Sequence, residues 1–227
     1  MDQPAAIAPL DRAALRRWLL GPQVLSDDGR VWSWHNPEHP GYAYPEAGGL
    51  WLALLAREPE LDDAPLRRVA AWLEACEARG PLGRDGRGYL FDRGMVVAGR
   101  LALLARGHGS PHRLRPAVLG LLDDLGASRA ATPAAPDQRW SERFGPHLLK
   151  LALPLGAWLE HASPAEHART HERLRELLHR LPVPDPEGRV PTGAEGKPTY
   201  LHAHCYAAEG LWALSAAPLP AELRARA

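Results

Sequence analysis

Residues suited to acid/base chemistry cluster in four short polar motifs, each beside an apolar stretch. The first motif places Tyr44 and Pro45 before Glu46, and a proline in this position favours the first turn of a helix. Glu46 would then lie at the positive end of that helix, where a carboxylate is stabilised without any further role. The alternative is a carboxylate at a ligand site. The small residues 47–49 suit either interpretation, because they allow close helix packing or leave room for a ligand.

The second motif, Phe91-Asp92-Arg93, also permits a structural and a functional interpretation. Asp92 is of the residue type that caps the N-terminus of a helix, and here a helix is expected from about Arg93. Alternatively, the Asp92 carboxylate faces a cavity, and Arg93 is available for an anionic group on a ligand. Both interpretations place Asp92 at the start of an apolar helix.

A third motif holds three basic side chains, Arg143, His147 and Lys150, at intervals of four and three residues. This spacing puts all three on one face of a helix. Such a face is either a solvated stripe or a basic inner surface that suits an acidic or oxygen-rich ligand.

The fourth motif brings His202, His204, Cys205, Tyr206 and Glu209 together on one predicted helix. On that helix His202 and Tyr206 share a face, whereas His202 and His204 diverge. Zinc sites need a third or fourth ligand at a defined spacing, and none is evident beside these residues, so no metal is predicted. General acid/base chemistry by an imidazole is the preferred interpretation, because its ordinary pKa lies near neutral pH.

The elements that position these motifs are almost all helical by apolar periodicity. The predicted helices cover residues 45–57, 64–79, 93–106, 113–125, 140–161, 164–181 and 202–216, with a shorter helix near each end. Pro146 and Pro154 should kink or break the helix over 140–161, since each removes a backbone hydrogen bond. The glycine-rich residues 80–88 predict a loop without regular structure.

A repeat relates the apolar helices to one another. Similar Leu- and Ala-rich segments start at Gly49, Gly99, Leu149 and Glu209, roughly every fifty residues, which is the length of one helical hairpin with its loops. More charged helices lie between them, as expected if apolar helices form an inner ring and charged helices an outer one. An ordinary helical bundle with coincidental similarity is the alternative.

Composition limits the classes of function. The 227 residues suit one domain, 1–227, and the 27 Lys and Arg balance the 27 Asp and Glu, so neither nucleic acid nor an anionic membrane is an expected partner. The N-terminus lacks the pattern of a signal peptide and no apolar run has the length of a membrane span, which predicts a cytoplasmic protein. The two cysteines form no disulfide framework, and Cys76 is expected to be a buried thiol.

Three of the motifs resemble those of a known group. The segments YPEAGG, FDRG and HAHCYAAEGL look like the inner-helix starts of alpha/alpha-toroid proteins, in particular the squalene-cyclase-like and N-acylglucosamine 2-epimerase-like proteins of polysaccharide-biosynthesis clusters. The resemblance spans about residues 42–215 and implies an all-α fold, a shortened alpha/alpha toroid of about four hairpins. It also implies a cavity at one end of the toroid. That cavity would be lined by Tyr44, Glu46, Asp92, His204, Tyr206 and Glu209.

The resulting expectation is an enzyme that uses acid/base side chains on a sugar or modified-peptide substrate, as an epimerase, lyase or hydrolase. Epimerisation needs two proton-transfer groups on opposite faces of the substrate, and His147 and His204 are the candidates. Hydrolysis needs two carboxylates, and Glu46 and Asp92 are the candidates. The residues expected to bind substrate are Tyr44, Arg93, Arg143, Lys150, His202, Tyr206 and Glu209.

Two other functions stay open. One is a non-catalytic helical-repeat module that binds a glycan or peptide, for which the eight tryptophans would be well suited. The other is a zinc-dependent peptide-modifying toroid similar to the lanthionine cyclases, although the paired cysteine ligands of that family are missing. The chain has none of the glycine-rich phosphate-binding motifs, and no cofactor is predicted. The oligomeric state is left open.

Overall fold

Helices make up most of the structure, as the sequence predicts. A computed structural model of the chain describes residues 11–34, 36, 38, 41–84, 86–127, 145–179, 190, 201–216 and 221. Its α-helices are α1 (Arg12–Leu19), α2 (Pro45–Leu55), α3 (Asp63–Arg79), α4 (Leu90–Ala105), α5 (Pro111–Ala127), α6 (Ala152–Trp158), α7 (Pro164–His179) and α8 (Leu201–Ala216). None of these described helices combines the length and apolar character that crossing a bilayer requires.

The start of α2 is anchored by the irregular segment that precedes it. The backbone N–H of Tyr44 donates to the carbonyl of Val31 at 2.9 Å, and Trp32 and Ala43 form an isolated antiparallel bridge. Tyr44 is therefore extended, and the helix begins at Pro45, whose fixed φ suits a first turn. This arrangement holds Tyr44 and Glu46 at a defined position relative to the rest of the fold.

Helix α4 begins earlier than the sequence predicts. Tyr89 is the extended residue at the helix start, and Leu90 is the first helical residue. Asp92 is consequently the third residue of the helix, so its predicted role as the N-cap is wrong. The physical reason is that Leu90 and Phe91 bury their side chains in the core, which extends the helix towards the N-terminus.

Residues 140–144 of the helix predicted over 140–161 lie outside the described residues, and the rest is not one continuous α-helix. A 3-10 helix (Pro146–Leu151) comes first, and the chain changes to the α-helix α6 at Ala152. Pro146 lies at the start of the 3-10 helix, where its missing N–H costs no hydrogen bond, and Pro154 lies in the first turn of α6 for the same reason.

The expectation that residues 80–88 lack regular structure is wrong. They form a minimal antiparallel hairpin, β1 (Gly83–Arg84) paired with β2 (Arg87–Gly88). Gly86, in the turn, has a φ of 72°, a conformation that glycine adopts at little cost. The hairpin places the guanidinium of Arg84 against the rings of Tyr44 and Tyr89.

The helices pack in two rows. In the first row α2 packs on α4, α4 packs on the 3-10 helix and α6, and both of these pack on α8. In the second row α3 contacts α2 and α4, α5 contacts α4 and α7, and α7 contacts the 3-10 helix and α6. The apolar helices of the repeat therefore lie side by side, with the more charged helices behind them.

Close contacts in the first row depend on glycine. A Cβ atom at Gly49 in α2 would lie 2.4 Å from the backbone of Met95 in α4, and one at Gly210 in α8 would lie 2.2 Å from the carbonyl oxygen of Leu149. Of the two interpretations of the small residues after Glu46, close helix packing is the one that the structure shows at Gly49.

Candidate functional site

Five elements bring polar side chains together at one end of the first row. The start of α2 supplies Tyr44 and Glu46, the first turn of α4 supplies Asp92, and strand β1 supplies Arg84. The 3-10 helix and α8 add Lys150 and Tyr206. These side chains come from segments more than one hundred residues apart in the sequence.

The centre of the site is a pair of carboxyl groups. Asp92 is 2% exposed, and Glu46 beside it is half-buried. Burial, followed by the nearby charge of Glu46, raises the pKa of Asp92 to about 7. Burial also raises the pKa of Glu46, against the opposing effects of Tyr44, Arg84, Asp92 and Lys150.

The raised pKa values of both groups favour a proton shared between the two carboxyl groups. A hydrogen bond joins the Asp92 and Glu46 side chains, and because an ionised carboxylate only accepts hydrogen bonds, one of the two must be protonated. Burial is the largest cause of the raised pKa of both groups, so the proton belongs to the pair. Oδ2 of Asp92 is buried and finds no other donor in the described part of the chain, so a proton shared with Glu46 would satisfy it.

Tyr44 interacts with both carboxyl groups. Its side chain is buried, and its hydroxyl interacts with both Glu46 and Asp92. Burial, then the charges of Glu46 and Asp92, raises the pKa of Tyr44 far above its usual range, so the hydroxyl stays protonated and acts only as a donor to the pair.

Arg84 is a site residue that the sequence analysis missed. Its guanidinium lies 5.4 Å from the ring centroid of Tyr44 and 5.2 Å from that of Tyr89, and its charge opposes the raised pKa values of Glu46 and Asp92. The available signal was the Asp-Gly dipeptide at 85–86, which is typical of a tight hairpin turn and would have placed Arg84 beside that turn.

A second group of contacts surrounds Tyr206. Lys150 forms an ion pair with Glu209 at 2.7 Å, and its Nζ lies 4.0 Å from the ring centroid of Tyr206. The Tyr206 ring also stacks on Phe91, with centroids 5.0 Å apart. Burial, then the charges of Glu46 and Glu209, raises the pKa of Tyr206 to about 12. Because Glu46 acts on Tyr206 and Lys150 acts on Glu46, this group adjoins the carboxyl pair.

The two histidines proposed for epimerisation lie in different surroundings. His147 is buried, and its ring lies 5.2 Å from that of Phe91. His204 is half-buried, and its Nδ1 accepts a hydrogen bond from the backbone N–H of Val190 at 3.2 Å. In a neutral imidazole this bond puts the proton on Nε2. Their action as a pair stays a prediction.

Arg93 does not join Asp92 at the site. It pairs with Asp124 of α5, packs over Gly120, and lines a separate cleft of about 570 Å³. Consecutive residues of a helix point about 100° apart, so Arg93 faces away when Asp92 faces the carboxyl pair. The structure therefore places Arg93 away from the carboxyl pair, and its binding of an anionic group on a ligand stays a prediction.

The remaining predicted residues lie at the edge of the site or outside the described residues. His202 is exposed, and its ring meets that of Tyr206 at 6.3 Å, which confirms that the two share a face of α8. Lys150 and His147 are not a solvated stripe, since both are largely covered. Arg143 lies outside the residues that the structure describes.

Metal-binding residue types do not gather in the described ranges: no group of three or more His, Cys, Asp or Glu side chains there could hold a metal ion. Cys205 is exposed. Cys76 is only half-buried and its Sγ accepts a hydrogen bond from Arg79, so the expectation of a fully buried thiol is wrong.

The chain was compared with known proteins at three levels. No protein-family model, no characterised protein and no solved structure matches it.

Proposed function

We propose that this protein is an acid/base enzyme in which Glu46 exchanges a proton with a sugar or modified-peptide substrate. The observation that supports this proposal is the Glu46–Asp92 pair, two neighbouring carboxyl groups whose pKa values burial raises, that of Asp92 to about 7. A carboxyl whose pKa is raised towards neutral pH is well matched to general acid/base work, because both of its protonation states are then accessible.

The contact between the two carboxyl groups favours proton transfer at carbon over glycoside hydrolysis. Hydrolases of the two-carboxylate type keep these groups about 5 Å or more apart, so that the scissile bond or a water fits between them. Glu46 and Asp92 instead hydrogen-bond directly. Epimerisation or elimination needs one group to remove a proton, and half-buried Glu46 is the more accessible member of the pair. Asp92, which is more deeply buried by side-chain exposure, shares the proton of the pair.

Tyr206 and Lys150 provide the opposite side of the reaction. Tyr206 stays protonated, since its pKa is raised to about 12. It is a weak acid in the resting site, so its proton transfer to substrate depends on the neighbouring Lys150. Lys150 lies over the Tyr206 ring and would stabilise negative charge that develops there. In an elimination, Glu46 takes the proton from carbon and Tyr206 protonates the leaving oxygen. In an epimerisation, the proton from Tyr206 returns to the opposite face of the same carbon.

The proposal extends to the architecture. The four members of the first row contact one another in chain order, and the charged helices lie behind them, which supports a shortened alpha/alpha toroid of about four hairpins. The polar ends at α2, α4 and α8 would form the mouth of its cavity. A toroid with fewer hairpins than a full ring would leave the cavity open at the side to a chain-like substrate.

The experiment compares wild type with Glu46→Gln in D₂O. Candidate sugars and modified peptides are incubated with each protein, and NMR follows loss of the signal from the exchanging C–H. We expect wild type to exchange the proton and Glu46→Gln to lose at least about a hundredfold in rate, the usual contribution of a general base. Glu60→Gln, at a mostly exposed glutamate whose side chain lies 3.5 Å from Arg16, is the matched control and should retain the wild-type rate.

Unchanged exchange in a folded Glu46→Gln protein would contradict the proposal. If wild type binds a substrate but never exchanges its proton, the non-catalytic binding module is the correct function instead. Circular dichroism of each variant establishes that the fold is retained.

A further inference from the structure

A groove lined by tryptophans lies beside the segment that leads into α2. Its lining includes Trp18, Trp32 and Trp34 with the side-chain amides of Gln23 and Asn36, and the groove is shallow and open to solvent. Trp18 is 50% exposed and Trp34 is 44% exposed. Two large indoles left open to water in one groove are unusual on a protein surface and indicate a ligand.

Aromatic contacts join this groove to the carboxyl pair. The ring of Trp34 meets that of Tyr42 at 5.0 Å, and Tyr42 meets Tyr44 at 5.4 Å. Tyr44 in turn interacts with Glu46 and Asp92. Two aromatic contacts therefore connect the groove to Tyr44, which lies beside the proposed reacting centre.

We propose that the tryptophan groove binds uncharged sugar rings of an oligosaccharide whose reacting residue lies at Glu46. This inference rests on the proposed function and names its substrate class. The apolar C–H face of a sugar ring packs on the face of an indole, while side-chain amides bond its hydroxyls. The groove offers both features, and its lining residues within the described ranges include no ionisable side chain.

The positions of the polar groups support sugar over the other ligands that bind aromatic grooves. Nε2 of Gln23 donates to the backbone carbonyl of Trp18 at 3.0 Å, which fixes the amide beside the indole. Trp34 and Tyr42 meet at 89°, so they do not form the parallel walls that hold a proline ring. A nucleic acid or an acidic peptide would need several available basic side chains. Arg30, whose guanidinium lies 5.5 Å from the Trp32 ring centroid, is already paired with Asp28.

Calorimetric titration tests the groove directly and does not depend on turnover. The probes are cellohexaose, laminarihexaose, N-acetylchitohexaose, hexagalacturonate and a proline-rich peptide. We expect a neutral hexasaccharide to bind.

Trp18→Ala and Trp34→Ala should each lower the affinity for that hexasaccharide by about tenfold, since each removes a stacking face. Trp34→Phe, which keeps an aromatic face, should retain most of the affinity. Trp212→Ala removes a tryptophan of α8 that is 73% exposed and outside the groove, and should change nothing.

The outcomes separate this inference from the proposed function. Wild-type affinity in both Trp→Ala variants, binding of the peptide alone, or no binding by any neutral hexasaccharide would overturn the groove as a sugar site. Glu60→Gln, whose glutamate is not among the residues lining the groove, should bind the hexasaccharide as wild type does. If the hexasaccharide binds wild type and loses affinity in both Trp→Ala variants, but Glu46→Gln exchanges protons as wild type does, the proposed function fails while the groove assignment stands.

Discussion

Burial sets the acidity of the candidate site residue by residue. It is the largest influence on Asp92, Glu46 and Tyr206, and in each case it raises the pKa. The cations Arg84 and Lys150 act on Glu46 in the opposite direction. The site therefore combines a desolvated acid with cations that keep part of it ionised, which suits a group that has to gain and lose a proton in one turnover.

Lys150→Gln tests the influence of the lysine on Glu46. The ammonium group lowers the pKa of Glu46, so its removal should raise that pKa. If Glu46 must be ionised to act as a base, the acidic limb of kcat/KM should move to higher pH by about half a pH unit. Arg169→Gln, which removes a surface cation paired with Asp123, is the control. An acidic limb that stays in place, or moves to lower pH, would contradict the assignment of Glu46 as the base.

At the level of elements, helix spacing determines whether the site residues can meet. Glu46 on α2 reaches Asp92 on α4 because Gly49 lets the two helices approach backbone to backbone, where Gly99 also faces Gly49. On the other side, Gly210 allows α8 to approach the 3-10 helix that contains Lys150. Glycine at these positions is a packing requirement and not a source of flexibility.

Gly49→Ala tests this requirement. The added Cβ would lie 2.4 Å from the Met95 backbone, which cannot move aside as a flexible side chain can, so we expect destabilisation of about 2 kcal/mol or more. Gly156→Ala is the matched control, since Gly156 is also helical and a Cβ atom added there would meet nothing within 4 Å in the described part of the chain. It should be neutral or stabilising by about 0.5–1 kcal/mol. Thermal or urea unfolding measures both, and equal stabilities of the two variants would contradict the packing argument.

Local patterns predicted the helices well and the orientation of their side chains less well. Apolar periodicity and proline gave α2, α3, α5 and the departure from one continuous α-helix after Pro146, because these depend on neighbours in sequence. The start of α4 depended on burial of Leu90 and Phe91 against distant helices. Helix α4 starts three residues earlier than the sequence predicts. Asp92 is therefore an inward-facing acid within the first turn instead of a cap, and Arg93 faces outward.

Long-range contacts account for the rest of the site. Lys150 and Tyr206 were each predicted as substrate-binding residues. The ion pair of Lys150 with Glu209 and the stacking of Tyr206 on Phe91 each join separate helices, so local residue spacing does not reveal them. Arg84 was missed because a hairpin of two-residue strands has no apolar alternation to reveal it.

The free energy of unfolding of the whole molecule depends on the proton held by the carboxyl pair. Asp92 has an ordinary pKa of 3.8 and a pKa of about 7 in the folded protein. Between these values the folded protein binds more protons than the unfolded chain does, so this pair makes stability fall as pH rises through the window. Below it the stabilisation is fully present, and above it the stabilisation is lost. Carboxylates in ordinary ion pairs have lowered pKa values in the folded protein, so they make stability rise with pH.

The most direct test is the free energy of unfolding of wild type and Asp92→Asn, measured with urea from pH 4 to pH 8. An asparagine amide donates to Glu46 as the protonated acid does, but it cannot ionise. The difference in stability should therefore grow in favour of Asp92→Asn, by on the order of 3 to 4 kcal/mol across this range. A difference that stays constant, or that grows in favour of wild type as pH rises, would show that Asp92 is ionised throughout and would contradict the shared proton.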